Sequence, residues 1–416
     1  MAIDTLGANA LASNSVTTAK IAADAVTSAK IPAGAVVASD VADGSVTTAK
    51  LADNAVTSAK ALNLGRRNLL INGAMQVSQR GTSFASMSAS AYTCDRWQLQ
   101  LAGAGRPTVT QQTSGGPAGF KDNFLRVQVA TADSSVASSD MQVLKQVIEG
   151  HQSAFTDAGT SDAQPLTLSF YVRSSVTGTF SATLYINFNN PNAVSYPAEY
   201  TISSANTWEL KTITFPAFTT SSTLASSGYT NGEFYQVRFA LMAGSDKTGT
   251  PNQWNNANDF ASTNQTNLFA TSNATWDITG VQLETGSAST DFERRSFAEE
   301  LRDCQRYYFH TYRQGIAIGS TGNDNGAALS RIYSAVTNHH NFTVIYPQHM
   351  RATPNITYYS MNGTVDRVSF LGSDYTHDTN VSITATYELG ERGINGIAIG
   401  AGDQSIGGHV IANAEL

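Results

Sequence analysis

From Leu11 to Lys60 the chain repeats every ten residues, as LASNSVTTAK, IAADAVTSAK, IPAGAVVASD, VADGSVTTAK and LADNAVTSAK, with Val16, Val26, Val36, Val46 and Val56 in one register. A fixed period of this kind specifies a segment that extends by adding like units, not a compact domain. Each repeat carries two large apolar side chains, the Val at its sixth position and Leu11, Ile21, Ile31, Val41 or Leu51 at its first. Burying both gains about 3–6 kcal/mol per repeat. Ordering ten residues costs about 10–20 kcal/mol. One chain alone therefore builds no core here. Val16, Ile21, Val26, Ile31, Val36, Val41, Val46, Leu51 and Val56 are expected to pack against other copies of the chain in a homo-oligomeric rod.

The two apolar positions lie five residues apart, which fits neither a strand face nor a helical stripe, so the chain must bend between them. Turn formers occupy that place: Ser13-Asn14, Ala23-Asp24, Ala33-Gly34, Asp43-Gly44 and Asp53-Asn54. The β-branched V-T-T and V-T-S runs that follow favour short intertwined strands. A helical turn over T-x-A-K with Thr as N-cap is the alternative. A disordered linker would not keep Val in register through five copies.

The chain has 416 residues, a net charge of -7 and 14% charged residues. No basic block exists beyond Arg66-Arg67, which argues against a nucleic-acid partner. No apolar stretch approaches a membrane span, and MAIDTLGANALASN lacks the charged and apolar regions of a signal peptide, so no membrane insertion is expected. Cys94 and Cys304 lie far apart without CxxC or CxxH spacing, and each reads as a small buried hydrophobe.

After the repeats, LTLSFYVRS, SATLYINF, WELKTITF and FYQVRFALM alternate apolar and polar residues between Gly, Ser, Asn and Pro clusters, the pattern of an antiparallel β-sandwich. One helix stands out, SFAEELRDCQRYYF, with Phe297, Leu301, Cys304 and Tyr308 as its apolar stripe. Ser296 and Glu299 form its capping box. In an oligomer this stripe is expected to line the symmetry axis. The expected organisation is all-β: an attachment segment over 1–10, the shaft over 11–61, a sandwich over 62–295, the connecting helix over 296–308 and a second β-sandwich over 309–416.

RRNLLINGAMQVSQRGTSF with YTCDRW (Arg66–Trp97), ITGVQLETGSASTDFERRSFAEELRDCQRYYF (Ile278–Phe309), YPQHMRATPNITYYSMNG (Tyr346–Gly363) and GGHVIANAEL (Gly407–Leu416) resemble the framework of tail fibre proteins of tailed bacteriophages. The decapeptide shaft resembles theirs as well. The resemblance covers most of the chain. It implies a homotrimer in the virion tail, assembled in the host cytoplasm and acting at the host outer surface. It also implies a jelly roll like a carbohydrate-binding module over 62–295, a receptor-binding domain over 309–416 and a host surface polysaccharide as partner. Only about ten residues precede the repeats, so docking to a tail or adaptor protein is expected to use that segment or the first repeats.

Sugar recognition needs aromatic faces beside amides and carboxylates, and loops that carry both are the candidates. Trp254 stands among Asn255, Asn256 and Asp259 in TGTPNQWNNANDF; the plain alternative is an edge core residue. Asp374, Tyr375, His377 and Asp378 crowd LGSDYTHDTN, and Asn323 and Asp324 lie in GSTGNDNGAA; both stretches also suit solvated hairpin tips. Trp97, Trp208 and Trp276 read as core. The C-terminal domain is the favoured receptor reader, because the shaft at the N-terminus leaves that end farthest from the particle; three equivalent weak sites would then suffice through avidity.

No catalytic function is expected. Paired hydrolytic carboxylates must lie about 5–10 Å apart, and Asp277, Glu284, Asp291, Glu293, Asp366, Asp374 and Asp378 carry no spacing that establishes this. Arg294 and Arg295 beside Asp291 and Glu293 point to salt bridges. There is no G-x-S-x-G, H-E-x-x-H or P-loop. A depolymerase and a connector carrying a separate receptor-binding protein are the alternative functions. No cofactor is required. Asp277 stands where the resembled jelly rolls place a structural calcium ligand, but calcium wants six to eight oxygens, and a satisfied sheet-edge carboxylate is the other reading. His339 and His340, adjacent on a strand, point to opposite faces and make a poor chelate.

Overall fold

The alternation in LTLSFYVRS is realised, in a computed structural model, as the strand Leu166–Ser174, whose Leu166, Leu168, Phe170 and Val172 are each no more than 3% exposed. The structure describes residues 21–22, 25–32, 34–42 and 45–47 of an N-terminal unit (1–64). In a second unit (65–416) it describes 66–120, 123–187, 193–219, 230–321, 326–330, 332–334, 339–371, 377–399 and 405–416.

The second unit begins with fourteen strands: β1 (Ser83–Phe84), β2 (Ala91–Tyr92), β3 (Gln98–Ala102), β4 (Arg106–Gln112), β5 (Phe124–Thr131), β6 (Met141–Glu149), β7 (Leu166–Ser174), β8 (Gly178–Ile186), β9 (Val194–Ile202), β10 (Glu209–Phe215), β11 (Glu233–Ala243), β12 (Thr248–Gly249), β13 (Ala261–Ser262) and β14 (Thr275–Thr285). Two six-stranded antiparallel sheets, ordered β1-β4-β5-β14-β7-β10 and β2-β3-β6-β11-β8-β9, pack as a jelly-roll sandwich. Phe239 of β11 centres the core, with ring centroids 5.0 Å from Phe170, 5.8 Å from Trp276 and 6.2 Å from Trp97. Trp97 and Trp276 are buried as expected. Trp208 is not: it precedes the edge strand β10 and lies half-buried on the outer side, its ring against Phe124 (5.2 Å) and the Arg173 guanidinium (4.6 Å), with Nε1 donating to the Gly115 carbonyl at 3.0 Å.

In the repeats the expected strands do not appear among the described residues. The described residues show a tight turn early in three repeats and a second one in the repeats at 21–30 and 31–40. The first closes through Ala25 N to Ala22 O (3.1 Å), Ala35 N to Pro32 O (3.0 Å) and Ser45 N to Ala42 O (3.0 Å), where turn formers were anticipated. The second is a 3-10 turn, Ser28–Lys30 or Ala38–Asp40, over the stretch read alternatively as helical. Local hydrogen bonds outweigh β-propensity here: Lys30 Nζ donates to the Ala25 carbonyl at 2.7 Å, and Val37 N donates to the Asp40 carboxylate at 3.0 Å. Ile21, Val26, Ile31, Val36, Val41 and Val46 are 40–56% exposed in the single chain. Val16, Leu51 and Val56 lie outside the described residues.

The quoted framework motifs converge on one junction. Asn72 is held in a left-handed conformation (φ 58°); its Nδ2 donates to the carbonyls of Val77 (2.8 Å) and Asp95 (3.0 Å), and its backbone N–H donates to Glu300 at 2.6 Å. A Cβ at Gly73 would lie 2.1 Å from the Val281 carbonyl oxygen, so only glycine permits the approach to β14. Helix Phe297–Gln305 carries the anticipated capping box. Its stripe, however, is occupied within the chain: Cys304 packs with Ile71, Val77 and Tyr307, and Leu301 lies against them. Tyr308 is past the helix, in a strand Tyr308–His310, beneath the Arg80 guanidinium at 3.6 Å. Phe297 alone of the four is exposed. The chain turns from helix to strand after Arg306, which removes Tyr308 from the helical face.

Beyond the helix, strand Ile406–Asn413 pairs with Tyr308–His310, Ala328–Ser330, Asn355–Ser360 and Arg367–Leu371 within a nine-stranded sheet over the core of Phe342, Tyr358, Val368, Ile397 and Val410. Glu415 pairs with Arg96 and with Arg80 (3.1 Å) of the sandwich, Arg306 grips Glu149 through two bonds of 2.9 and 2.8 Å, and Arg351 donates to Asn231 O at 2.9 Å.

His409 is fully buried in this region, stacked on Tyr312 with ring centroids 3.7 Å apart. Burial, with His310 nearby, pulls its imidazolium down to about 4 from the ordinary 6.5. The unfolded chain thus binds this proton more readily. Above the unfolded value the group contributes no pH dependence; below it, stability falls as pH drops toward about 4 and then levels. The loss amounts to up to about 3 kcal/mol. Urea titrations at neutral and acid pH should show this decline, and His409→Phe should reduce it, leaving the part that the buried His310 and His340 contribute in the same direction.

Candidate functional site

The loop around Trp254 is built inward. Trp254 is half-buried against Tyr196 and Phe218, at centroid distances of 5.3 and 5.0 Å, and its Nε1 donates to the Pro216 carbonyl at 3.2 Å. It closes the side of the sandwich between β9 and β10, the edge-core arrangement. Asn255 exchanges backbone hydrogen bonds with Ser195 (2.8 and 3.0 Å) and its Nδ2 donates to Thr250 O (3.0 Å). Asp259 is buried and accepts from Ser195 Oγ at 3.1 Å. Asn256 is exposed. Of the other candidates, Asn323, Asp324, Asp374 and Tyr375 lie outside the described residues, and His377 and Asp378 begin the strand His377–Tyr387.

Asp277 is buried on the outer side of the first sheet, where β14 runs between β5 and β7. Arg126 Nε and Nη2 donate to its two oxygens at 2.8 and 2.9 Å, and Arg173 adds a contact at 2.7 Å. A calcium ion would have to displace two guanidinium groups to reach this carboxylate. Glu284 accepts from Gln282 (2.9 Å), Thr290 N (2.8 Å) and Thr290 Oγ1 (2.6 Å). Glu293 accepts from the backbone of Arg67 (2.7 Å) and Asn68 (2.6 Å) and pairs with Arg295 at 3.2 Å. These carboxylates stitch the sandwich together. His339 and His340 differ in exposure, as neighbours on a strand do.

The outer face of the second sheet collects polar groups of another kind. Its inward positions, such as Leu99, Leu144, Val237, Phe239 and Leu184, fill the core. The alternate positions put Gln98 opposite Lys145, Lys145 opposite Arg238 and Arg238 opposite Thr183 in one cross-strand row. The adjacent rows hold Gln100 opposite Val143, and Gln236 opposite Tyr185. Arg238 is fixed from all sides: Nε donates to Gln236 Oε1 (2.7 Å), Nη1 to Asn258 Oδ1 (2.7 Å) and Asp259 O (2.8 Å), and its plane lies over Tyr185 (3.8 Å) and Phe260 (4.1 Å). Gln236 Nε2 in turn donates to Glu233 at 2.7 Å.

Residues 258–260 cover the β8 side of this face, while Gln98, Gln100 and Lys145 stay half-buried. Gln100 Oε1 is a buried acceptor with no partner among the described residues. Burial and the neighbouring Arg238 charge bring the Lys145 ammonium down to about 8. Two cations directly opposite one another are unfavourable on a sheet by a few tenths of a kcal/mol or more, about 0.2–1. A row of amides and cations at fixed spacing offers the donors and acceptors that a ring of sugar hydroxyls requires, on a rigid support. The signal was present in FYQVRFALM, where Gln236 and Arg238 alternate with Tyr235, Val237 and Phe239. The register that brings Lys145 and Gln98 beside them was not.

In the C-terminal part, a cleft of about 690 Å³ is lined by Thr343, Ile345, His349, Glu388, Glu391 and Asn395. Its polar groups pair with one another, His349 with Glu391 at 3.2 Å and Asn395 with Glu388 at 2.6 Å.

No protein-family sequence model matches the chain, and no curated protein matches it. Solved structures that are similar include the enzymatically active domain of bacteriophage CBA120 tailspike protein 4, at 15% identity and a TM-score of 0.29 over 53% of this chain. That match spans 21% of the tailspike chain. A sugar-binding protein from Bacteroides thetaiotaomicron matches at 12% identity and TM-score 0.30, over 53% of this chain and 100% of its own. The CBM22-2 xylan-binding domain from Paenibacillus barcinonensis matches at 10% identity and TM-score 0.26, over 46% of this chain and 92% of its own.

Proposed function

We propose that this protein is a non-enzymatic, homotrimeric tail fibre that attaches a phage to a bacterial surface polysaccharide. The observation that carries the glycan reading is the row Gln98, Lys145, Arg238 with Gln100 and Gln236 beside it, in which Gln98, Gln100 and Lys145 are partly exposed and Arg238 and Gln236 are buried behind them. The exposed apolar positions of the repeats support the oligomer, since a single chain leaves them in water. Trimer number and docking to a tail or adaptor protein rest on the fibre resemblance. The carboxylates weighed as hydrolytic candidates at 277, 284 and 293 are engaged by arginines and backbone amides, which supports binding over cleavage.

The test is binding of the full-length protein to a panel of purified lipopolysaccharides and capsular polysaccharides, with the length of the polymer followed in parallel. Saturable binding, competed by free polysaccharide and leaving its length unchanged, is the expected result. Shortened polymer would establish a depolymerase. Absence of binding across the panel would favour a connector that carries another receptor-binding protein.

A further inference from the structure

We propose that the outer face of the second sheet reads an anionic saccharide unit, a uronate or a sugar phosphate, through Lys145 with Arg238 beside it. This rests on the reading of that face as the glycan site. The chain carries a net charge of -7, yet places two cations at directly opposed positions of one cross-strand row. Arg238 is held by Gln236, Asn258 and the Asp259 carbonyl. Lys145 has no hydrogen bond and no ion pair among the described residues, and its neighbours on the face are Gln98, Val143, Val147 and Arg238.

Glu233 is the carboxylate whose charge reaches Lys145, but without a direct contact, and the nearby acids hold other partners. Glu233 accepts from Gln236 (2.7 Å) and Asn187 (3.3 Å), Glu149 is gripped by Arg306, and Asp259 accepts from Ser195 (3.1 Å). A half-buried ammonium with no direct ion pair among the described residues, next to a buried second cation, is what an incoming carboxylate or phosphate would neutralise. The amides of Gln98 and Gln100 then address the neighbouring hydroxyls.

Full-length protein is passed over immobilised polygalacturonate, a phosphomannan and neutral dextran at low and high salt. At least one acidic polymer is expected to retain it, more strongly than dextran and less so in high salt. Lys145→Gln should weaken that retention about ten-fold and reduce its salt dependence, while Lys145→Arg keeps most of it. Unchanged thermal melting of the variants shows that the fold is intact. Equal retention on all three polymers, no retention on either acidic one, or indifference to Lys145→Gln overturns the proposal. The face itself is judged separately with Gln98→Ala/Gln100→Ala. If that variant abolishes retention while Lys145→Gln does not, only the preference for acid fails. If neither variant matters, the face is not the site.

Discussion

Replacing Arg96 with alanine is expected to destabilise the protein by about 3–5 kcal/mol, the cost of breaking a buried ion pair by removing one partner. Arg96 is almost fully buried, its guanidinium lies 3.4 Å over the Tyr307 ring, and it donates to the Val147 carbonyl at 2.6 Å while pairing with Glu415. Its loss leaves the Glu415 carboxylate to Arg80 alone and opens a void beside Tyr307 at the junction between sandwich and C-terminal sheet. Urea denaturation measures the change. Glu415→Gln in the Arg96→Ala background should cost less than it does alone, because the two residues act as one unit. A shift below about 1 kcal/mol would place Arg96 with ordinary surface positions and remove the junction from the account of stability.

Deleting residues 1–61 is expected to have the largest effect on binding. The second unit retains its sandwich and its own core, so the truncated protein should stay folded. If the repeats hold the copies together as proposed, the truncated chains should separate, and apparent affinity for an immobilised polysaccharide should fall about 100-fold as avidity is lost. Sedimentation velocity reads the first change and surface retention the second. Truncated protein should also fail to enter virions. A truncated trimer with unchanged retention would show that another region holds the copies together.

Much of the fold was legible because a half-buried strand must alternate: Leu166, Leu168, Phe170 and Val172 face the core as their spacing requires. The capping box of helix Phe297–Gln305 was equally local. The role of its stripe was not, because Cys304 meets Ile71 and Val77, more than two hundred positions earlier in the chain. Trp254 illustrates the same limit. Its loop is polar, but Tyr196 and Phe218 arrive from elsewhere to receive the ring. In the repeats the bend was readable from turn formers, whereas the choice between strand and 3-10 turn depended on Lys30 and Asp40 side chains reaching back to nearby backbone. The row through Lys145 depends on strand register, which propensity does not encode.

The outer face of the second sheet is proposed to bind surface polysaccharide. The most direct test of this is to compare full-length protein with the variant Gln98→Ala/Gln100→Ala against the polysaccharide panel. Both side chains are half-buried and make no side-chain hydrogen bond among the described residues, so their removal leaves the sandwich intact. Saturable binding that weakens roughly ten-fold or more in the variant is expected, about one hydrogen bond's worth per amide. Binding of equal strength in both proteins would contradict it and move the site elsewhere on the chain.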